Sequence, residues 1–308
     1  MAKRIVRTLR QDQKEFLDVF SGLCYSKSDW QVWTDFIFCT AVAISNSVDR
    51  EGPTHDARED RYITIMKGYK EQERMKFPEL VNILVDALEK DPDQDFLGEM
   101  FMALELGSHW HGQFFTPFSV CRMMAKMQIS SASEEIKAHG WVAINDPACG
   151  AGALLIAARN EFAARGVGFQ QTWYVAQDID QTAGLMCYIQ LSLLGCAGYV
   201  AIADTICNPL VGQSPLIPTP KPGQEFWFMP MTCDMIWQER IRLGYFKRLF
   251  AGVVVNSTES VNLAVATALP DTPEDSPIVD TSEAKAPAEA KSEARTYEAD
   301  DSGQLRFF

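Results

Sequence analysis

The sequence predicts an α/β protein, a helical N-terminal region followed by a doubly wound sheet. Three observations predict it. Apolar runs at Trp141–Asn145, Thr172–Gln177 and Tyr199–Ala203 each end in an aspartate, Asp146, Asp178 and Asp204. The first continues through Pro147-Ala148-Cys149-Gly150-Ala151-Gly152 into Ala153–Ala158, a stretch of strong helix formers. Ahead of these runs, apolar residues recur at helical rather than strand spacing. Strand, acidic turn, glycine loop and helix is the repeating unit of an open α/β sheet, whose ligands lie at the carboxyl edge. The chain divides into a helical region over 1–107, an α/β domain over 108–256 and a disordered acidic tail over 257–308.

Lys3, Arg4, Arg7 and Arg10 form a basic patch, and Phe16, Val19, Phe20 and Leu23 make the segment after it amphipathic. This reads as a helix with a solvated basic end; a phosphate-contacting arm is the minority reading. Ser28-Asp29-Trp30-Gln31 has the capping-box pattern, and Trp30, Trp33, Ile37, Ala41 and Ile44 then fall on one helical face. Glu51–Leu88 predicts two more helices, the second marked by Leu80, Leu84 and Leu88. Val120, Met123, Met124 and Met127 give the helix after Pro117 an apolar face, read as core. Gln181–Leu194 is a helix that Asp178 or Asp180 can cap; its place after the glycine loop favours Asp180 as cap and leaves Asp178 to a ligand. Pro209–Pro222 is loop. Arg240, Arg242, Lys247 and Arg248 form a basic stripe on an amphipathic stretch with Ile236, Ile241, Phe246 and Leu249, the best candidate for a phosphate contact.

The glycine loop is not a dinucleotide fingerprint. Gly150 and Gly152 are followed three positions on by Leu155, and no phosphate-holding Lys-Ser/Thr pair comes after them. A second signal lies about thirty residues upstream, Gly112-Gln113-Phe114-Phe115-Thr116-Pro117. There the proline removes a donor and holds Thr116 extended, aiming its hydroxyl and carbonyl at a ligand. A carboxylate at the tip of the second strand, Asp178, suits a ribose diol because it accepts both hydroxyl hydrogens. Taken in order, Gln113–Pro117, Asp146–Gly152, Asp178 and Asp204 resemble the motifs of S-adenosylmethionine-dependent adenine-N6 DNA methyltransferases. The resemblance is to those related to the modification subunit of type I restriction systems, and runs from about Asp29 to Asp204. It implies a Rossmann-like methyltransferase fold with S-adenosylmethionine as cofactor. It puts the hexad over the methionine end and Asp204 beside the adenine amine, although Ala203 stands where the family has glycine. The candidate cofactor residues are therefore Gln113, Phe115, Thr116, Pro117, Asp146, Ala148, Gly150, Gly152, Asp178 and Asp204.

The resemblance breaks at the catalytic motif. An adenine-N6 methylase needs Asn/Asp-Pro-Pro-aromatic after the next strand. The amide or acid and the prolyl carbonyl accept the hydrogens of a poorly nucleophilic amine, while the aromatic ring stacks on the flipped base. No such motif occurs in this sequence. Asn208-Pro209 has two of its letters, four residues past Asp204. Glu225–Met231 is an apolar strand followed by Pro230, with Met229 in the amide's place and Trp227 or Phe228 as possible stackers.

The net charge of −13 weighs against autonomous DNA binding, since affinity for DNA comes largely from cations that displace phosphate counterions. Residues 271–308 hold ten acids and four bases, so the rest of the chain is acidic as well. Eight cysteines without a C-x-x-C pair, most in apolar runs, suit a reducing cytoplasm. No apolar stretch is long enough to span a bilayer, and the histidines show no metal-ligand spacing. The tail ends in Gln304, Leu305, Arg306, Phe307 and Phe308, similar to sliding-clamp-binding peptides; Gln304, Leu305, Phe307 and Phe308 would make that contact. Such a tether would raise the local concentration of DNA. The expectation is an adenine-N6 methyltransferase working with a specificity or methylase partner subunit on DNA that it holds weakly alone. The alternative is a catalytically degenerate, donor-binding module with a regulatory or accessory role. Methylation of a non-DNA amine ranks third.

Overall fold

The computed structural model describes residues 9–25, 27–106, 115–129, 132–212, 214–247 and 304–306. Six helices come first: α1 (Gln11–Ser21), α2 (Asp29–Ser45), α3 (Pro53–Lys67), α4 (Glu71–Arg74), α5 (Lys76–Lys90) and α6 (Phe96–Ala103). Two more, α7 (Phe118–Gln128) and α8 (Ala132–His139), lead into β1 (Val142–Asp146). Then β1, α9 (Ala153–Ala164), β2 (Thr172–Asp178), α10 (Gln181–Leu193) and β3 (Ala197–Ile202) alternate, followed by β4 (Glu225–Phe228), α11 (residues 235–247) and β5 (Gln304–Arg306). The region from Glu51 to Leu88 thus holds three helices where the sequence predicts two.

The helices pack because aromatic residues recur on their inward faces. Phe16 of α1 meets Trp33 and Phe36 of α2 and Phe96 of α6 edge-on, at centroid distances of 5.5–6.2 Å. Each such ring removes enough apolar area from water to stabilise the fold by about 2–3 kcal/mol. α2 is the axle of this region: Trp33, Ile37 and Ala41 are buried as the spacing predicts, with Trp30 and Ile44 half-buried. Its Ser28 cap accepts from the Gln31 N–H at 3.2 Å, while the Gln31 side chain turns forward to Asp35 instead of closing the box. Arg10 is no free arm residue. It pairs with Glu99, donates to Gln94 and lies over the Phe96 ring. Lys3, Arg4 and Arg7 lie outside the described residues.

The sheet order is β4-β3-β2-β1-β5, with β3, β2, β1 and β5 parallel and β4 antiparallel on the outer edge of β3. Side chains alternate between faces with the strand period of two. Val142, Ile144, Tyr174, Ala176 and Val200 face the main core beneath α9 and α10. Ala143, Trp173, Val175, Ala197 and Tyr199 face a smaller core closed by Leu216, Ile217 and Trp237 of α11. Both faces are covered, which is why the strands read as continuous apolar runs. Arg58 of α3 joins the helical region to the sheet. Its guanidinium stacks 3.5 Å from the Trp227 ring centroid and donates to the Phe226 carbonyl at 2.8 Å.

Four expectations change. Val120, Met123 and Met127 of α7 are exposed, at 38%, 58% and 71%, rather than core. Small residues explain this: α7 packs on α9 through buried Cys121 and Ala125, which lets the helices approach closely and leaves the longer side chains outside. Of the stripe on α11, Arg240 is spent on structure, stacking on Trp237 and donating to the Gln170 and Gly140 carbonyls; Arg242 pairs with Glu239, and Lys247 is exposed. Arg248 lies outside the described residues. The tail is not without structure throughout: Gln304–Arg306 pairs in parallel with Ala143–Asn145. The rest of the tail lies outside the described residues, Phe307 and Phe308 included. The third strand begins at Ala197 and stops at Ile202, two residues before Asp204, because the chain turns away through the Asp204 loop.

β2 and β3 set the geometry of the ligand edge, and Gly198 is the close approach between them. Its φ is +144°, and a Cβ there would lie 1.9 Å from the Tyr174 carbonyl oxygen. Gly198→Ala is expected to cost about 3 kcal/mol or more, measured as a lower urea midpoint. An unchanged midpoint would contradict this strand pairing.

Candidate functional site at the carboxyl edge of the sheet

The three loops that follow β1, β2 and β3 are tied to one another. After β1, Asp146 Oδ1 accepts from the Ala148 N–H at 3.1 Å, closing the Asp-Pro-Ala turn. Gly150 and Gly152 then take φ of +54° and +94°, the left-handed region that costs other residues free energy. Space excludes side chains as well. A Cβ on Gly150 would sit 3.0 Å from the Phe115 ring, and one on Gly152 would sit 2.8 Å from Cys187 Sγ. In this conformation the Gly150 N–H donates to Asp178 Oδ2 at 2.8 Å. The Cys149 N–H donates to the Gln177 carbonyl at 3.0 Å, and the Ala203 N–H to the Asp178 carbonyl at 2.9 Å. Thr205 Oγ1 donates to the Pro147 carbonyl, which joins the third loop to the first.

The three aspartates differ in environment. Asp146 is buried, and desolvation raises its carboxyl to about 6 against the help of the Ala148 N–H. Asp178 is half-buried, and burial also raises it, opposed by the backbone N–H groups of Asp180 and Gly150. Asp204 is held below the usual carboxylate range by the N–H groups of Cys207 and Ile206, which donate to Oδ1 at 2.9 and 2.8 Å. Asp180 caps α10, accepting from the Ala183 N–H at 2.8 Å, as its position predicts. Asp178 and Asp204 are thus the outward carboxylates. Asp146 is a buried turn former.

Of the upstream hexad, Gln113 lies outside the described residues. Phe115 packs on Phe101 of α6, 5.2 Å between centroids, and against the glycine loop. Thr116 and Pro117 are exposed and line a cavity of about 710 Å³ with Arg10, Asp95, Glu99 and Arg122. This cavity, lined also by Met102, Ala103 and Phe118, opens at the Phe115 side of the loop. Toward β2 and β3 the edge is an open shelf, where Ile179 is 68% and Ile206 90% exposed. Two uncovered isoleucines beside two outward carboxylates offer an apolar ring surface flanked by acceptors for hydroxyl and amine hydrogens. Sequence reasoning missed both, although each follows an acid by one or two positions. It also missed Gln177, whose buried amide donates to the carbonyls of Ala203 and Asn208 and holds the third loop.

Neither remnant of the catalytic motif stands at this edge as an amine acceptor. Asn208 Nδ2 donates to the Pro222 carbonyl, and its Oδ1 faces Gln224. Because β4 runs antiparallel, Met229-Pro230 comes at the opposite end of the sheet from Asp178, and Met229 and Trp227 are fully buried. Phe228 is 40% exposed but pairs with Tyr199 and Phe226. Among the described residues no cluster of His, Cys, Asp and Glu is set to hold a metal ion, and no helix is long and apolar enough to cross a membrane.

Residues 95–226 match the family model of N-6 DNA methylases. The matched segment begins at the cap of α6 and ends in β4, so it contains the glycine loop and all three aspartates. It supports a DNA methyltransferase as the kind of protein to which the α/β part is similar. No curated protein matches the chain significantly.

Asp146 sets a pH dependence. Its folded-state carboxyl keeps a proton in a window where the unfolded one, near 3.8, has lost it. Stability therefore falls as pH rises from about 4 to about 6 and levels off above. Asp146→Asn keeps an oxygen for the Ala148 N–H and removes this contribution. It is expected to lessen the slope, leaving the contribution of buried Asp95, also raised to about 6, and to raise stability at pH 7 by on the order of 2–3 kcal/mol. Equal slopes in both proteins, measured by denaturant unfolding from pH 4 to 7, would contradict this assignment.

Proposed function

We propose that the chain is the S-adenosylmethionine-binding part of an adenine-N6 DNA methyltransferase with a Rossmann-like fold. One observation carries the reading: the hydrogen-bonded convergence of the loops after β1, β2 and β3 on Asp178. The residues suit the cofactor. Asp178 retains lone pairs for the ribose hydroxyls, Asp204 Oδ2 is available for an adenine amine, and Ile179 and Ile206 offer faces to the ring. Thr116 and Pro117 border the cavity on the methionine side, where Arg10, Asp95, Glu99 and Arg122 supply its polar groups. When bound, S-adenosylmethionine supplies an electrophilic methyl group on sulfur. The chain's own contribution is to hold and orient it.

The same reading gives the chain a partner. Among the described residues neither remnant of the catalytic motif offers the adenine amine an acceptor, and the negative charge disfavours DNA. A specificity or methylase subunit would supply both, and exposed Val120 and Met123 on α7 offer it an apolar contact. A clamp contact through Gln304, Leu305, Phe307 and Phe308 belongs to the same proposal. It requires Gln304–Arg306 to leave β1. A cytoplasmic setting fits a DNA-modifying assembly.

One specific observation favours a second reading, a catalytically degenerate donor-binding module with a regulatory or accessory role. The amide of Asn208 is committed to Pro222 and Gln224.

Titration calorimetry with S-adenosylmethionine and S-adenosylhomocysteine tests the cofactor reading. Both should bind, and Asp178→Ala should weaken binding roughly 10- to 100-fold, the loss of hydrogen bonds to a charged group. No heat and no rise in Tm at saturating ligand would remove the proposal. Methyl transfer to DNA by the chain alone would remove the degenerate reading.

A further inference from the structure

The middle of α10 carries an amide with no exposed surface, Gln190, whose partners come from two other parts of the chain. Its Nε2 donates to Asp95 Oδ1 at 2.8 Å and to the Ala151 carbonyl at 2.9 Å. Its Oε1 accepts from the Leu97 N–H at 3.1 Å. Asp95 is the cap of α6, accepting from the Gly98 N–H at 3.0 Å, and Leu97 is the second residue of that helix. Ala151 stands between the two left-handed glycines of the loop. Both donor hydrogens of the amide are therefore used, one on the helical region and one on the glycine loop.

A buried amide that served only to satisfy its own helix would not need partners 39 and 93–95 residues away. The Ala151 carbonyl has no other partner in this network, and its direction is fixed by the φ values on either side. Releasing it would let the peptide units around Gly150 and Gly152 rotate, since glycine resists such rotation least. The rotation would carry the Gly150 N–H away from Asp178. A second contact spans the same two elements from outside: Phe115 lies on Phe101 of α6 and against the position of Gly150.

We propose that Gln190 is a positioning residue for the glycine loop, tying it to the first turn of α6 so that loop order and adenosyl-ligand affinity depend on the docking of the N-terminal helices. The affinity clause rests on the cofactor reading above; the loop clause does not.

Full-length Gln190→Met, near in size but without polar atoms, is compared with Ile217→Ala, a destabilised control in the smaller core on the other face of the sheet. Gln190→Glu, which keeps the acceptor but turns lone pairs toward Asp95 and Ala151, is the second variant should the methionine protein not fold. Hydrogen exchange over residues 149–153 is read at equal distance below each protein's Tm, with S-adenosylhomocysteine affinity measured alongside. The expected result is at least tenfold faster exchange and at least tenfold weaker binding in the Gln190 variants, with the control matching the wild type in both. Exchange over 149–153 that matches the control overturns the tether. Wild-type protein that binds nothing, with the loop still loosened in Gln190→Met, sinks the cofactor reading and supports the tether. Loosened exchange with unchanged affinity overturns the affinity clause.

Discussion

The Gly150 N–H donates to the Asp178 carboxylate, and the edge of this sheet depends on that contact. It needs a residue that accepts φ of +54° and lacks a Cβ, because the Phe115 ring fills the space a side chain would take. It also needs β1 and β2 in a register that brings Asp146 opposite Ala176, so that Asp178 extends beyond the end of β1 and meets the returning loop. Strand pairing, glycine conformation and one aromatic residue from the upstream segment thus converge on one carboxylate. The other loops add to it through the backbone N–H groups of Cys149 and Ala203 and the Thr205 hydroxyl.

The molecule is unevenly equipped for transfer chemistry. On the proposed reading its edge is organised for an adenosyl group, with two outward carboxylates, two uncovered isoleucines and a cavity beside Thr116 and Pro117. Among the described residues, neither remnant of the catalytic motif offers a target base an amide acceptor and a stacking ring at this edge. The aromatic residues of β4 went into packing instead, with Trp227 held between Arg58, Phe38 and Tyr188. Arg240 of α11 went the same way, onto Trp237.

Much of the fold was legible. β2 begins and ends at the residues where its apolar run begins and ends, and Asp180 caps α10, because both signals are local: alternation buried on two faces, and a carboxylate three residues before an N–H. The errors came from non-local facts. Val120, Met123 and Met127 look like a core face until Cys121 and Ala125 are seen to bring α9 closer on the other side. Glu225–Met231 reads as the next parallel strand, and only the antiparallel pairing of Tyr199 with Phe228 sends Met229 to the far end. At the site, the glycines and aspartates were readable from their order. The amides of Gln177 and Gln190 were not, since an amide surrounded by apolar residues gives no hint of partners so distant in sequence.

Hydrogen exchange of the wild-type chain, with and without saturating S-adenosylhomocysteine, bears most directly on the claim that three loops form one adenosyl site. The account predicts joint protection of residues 146–152, 178–180 and 203–207, with the buried strands unchanged. Protection confined to one loop, or none in all three, would contradict it.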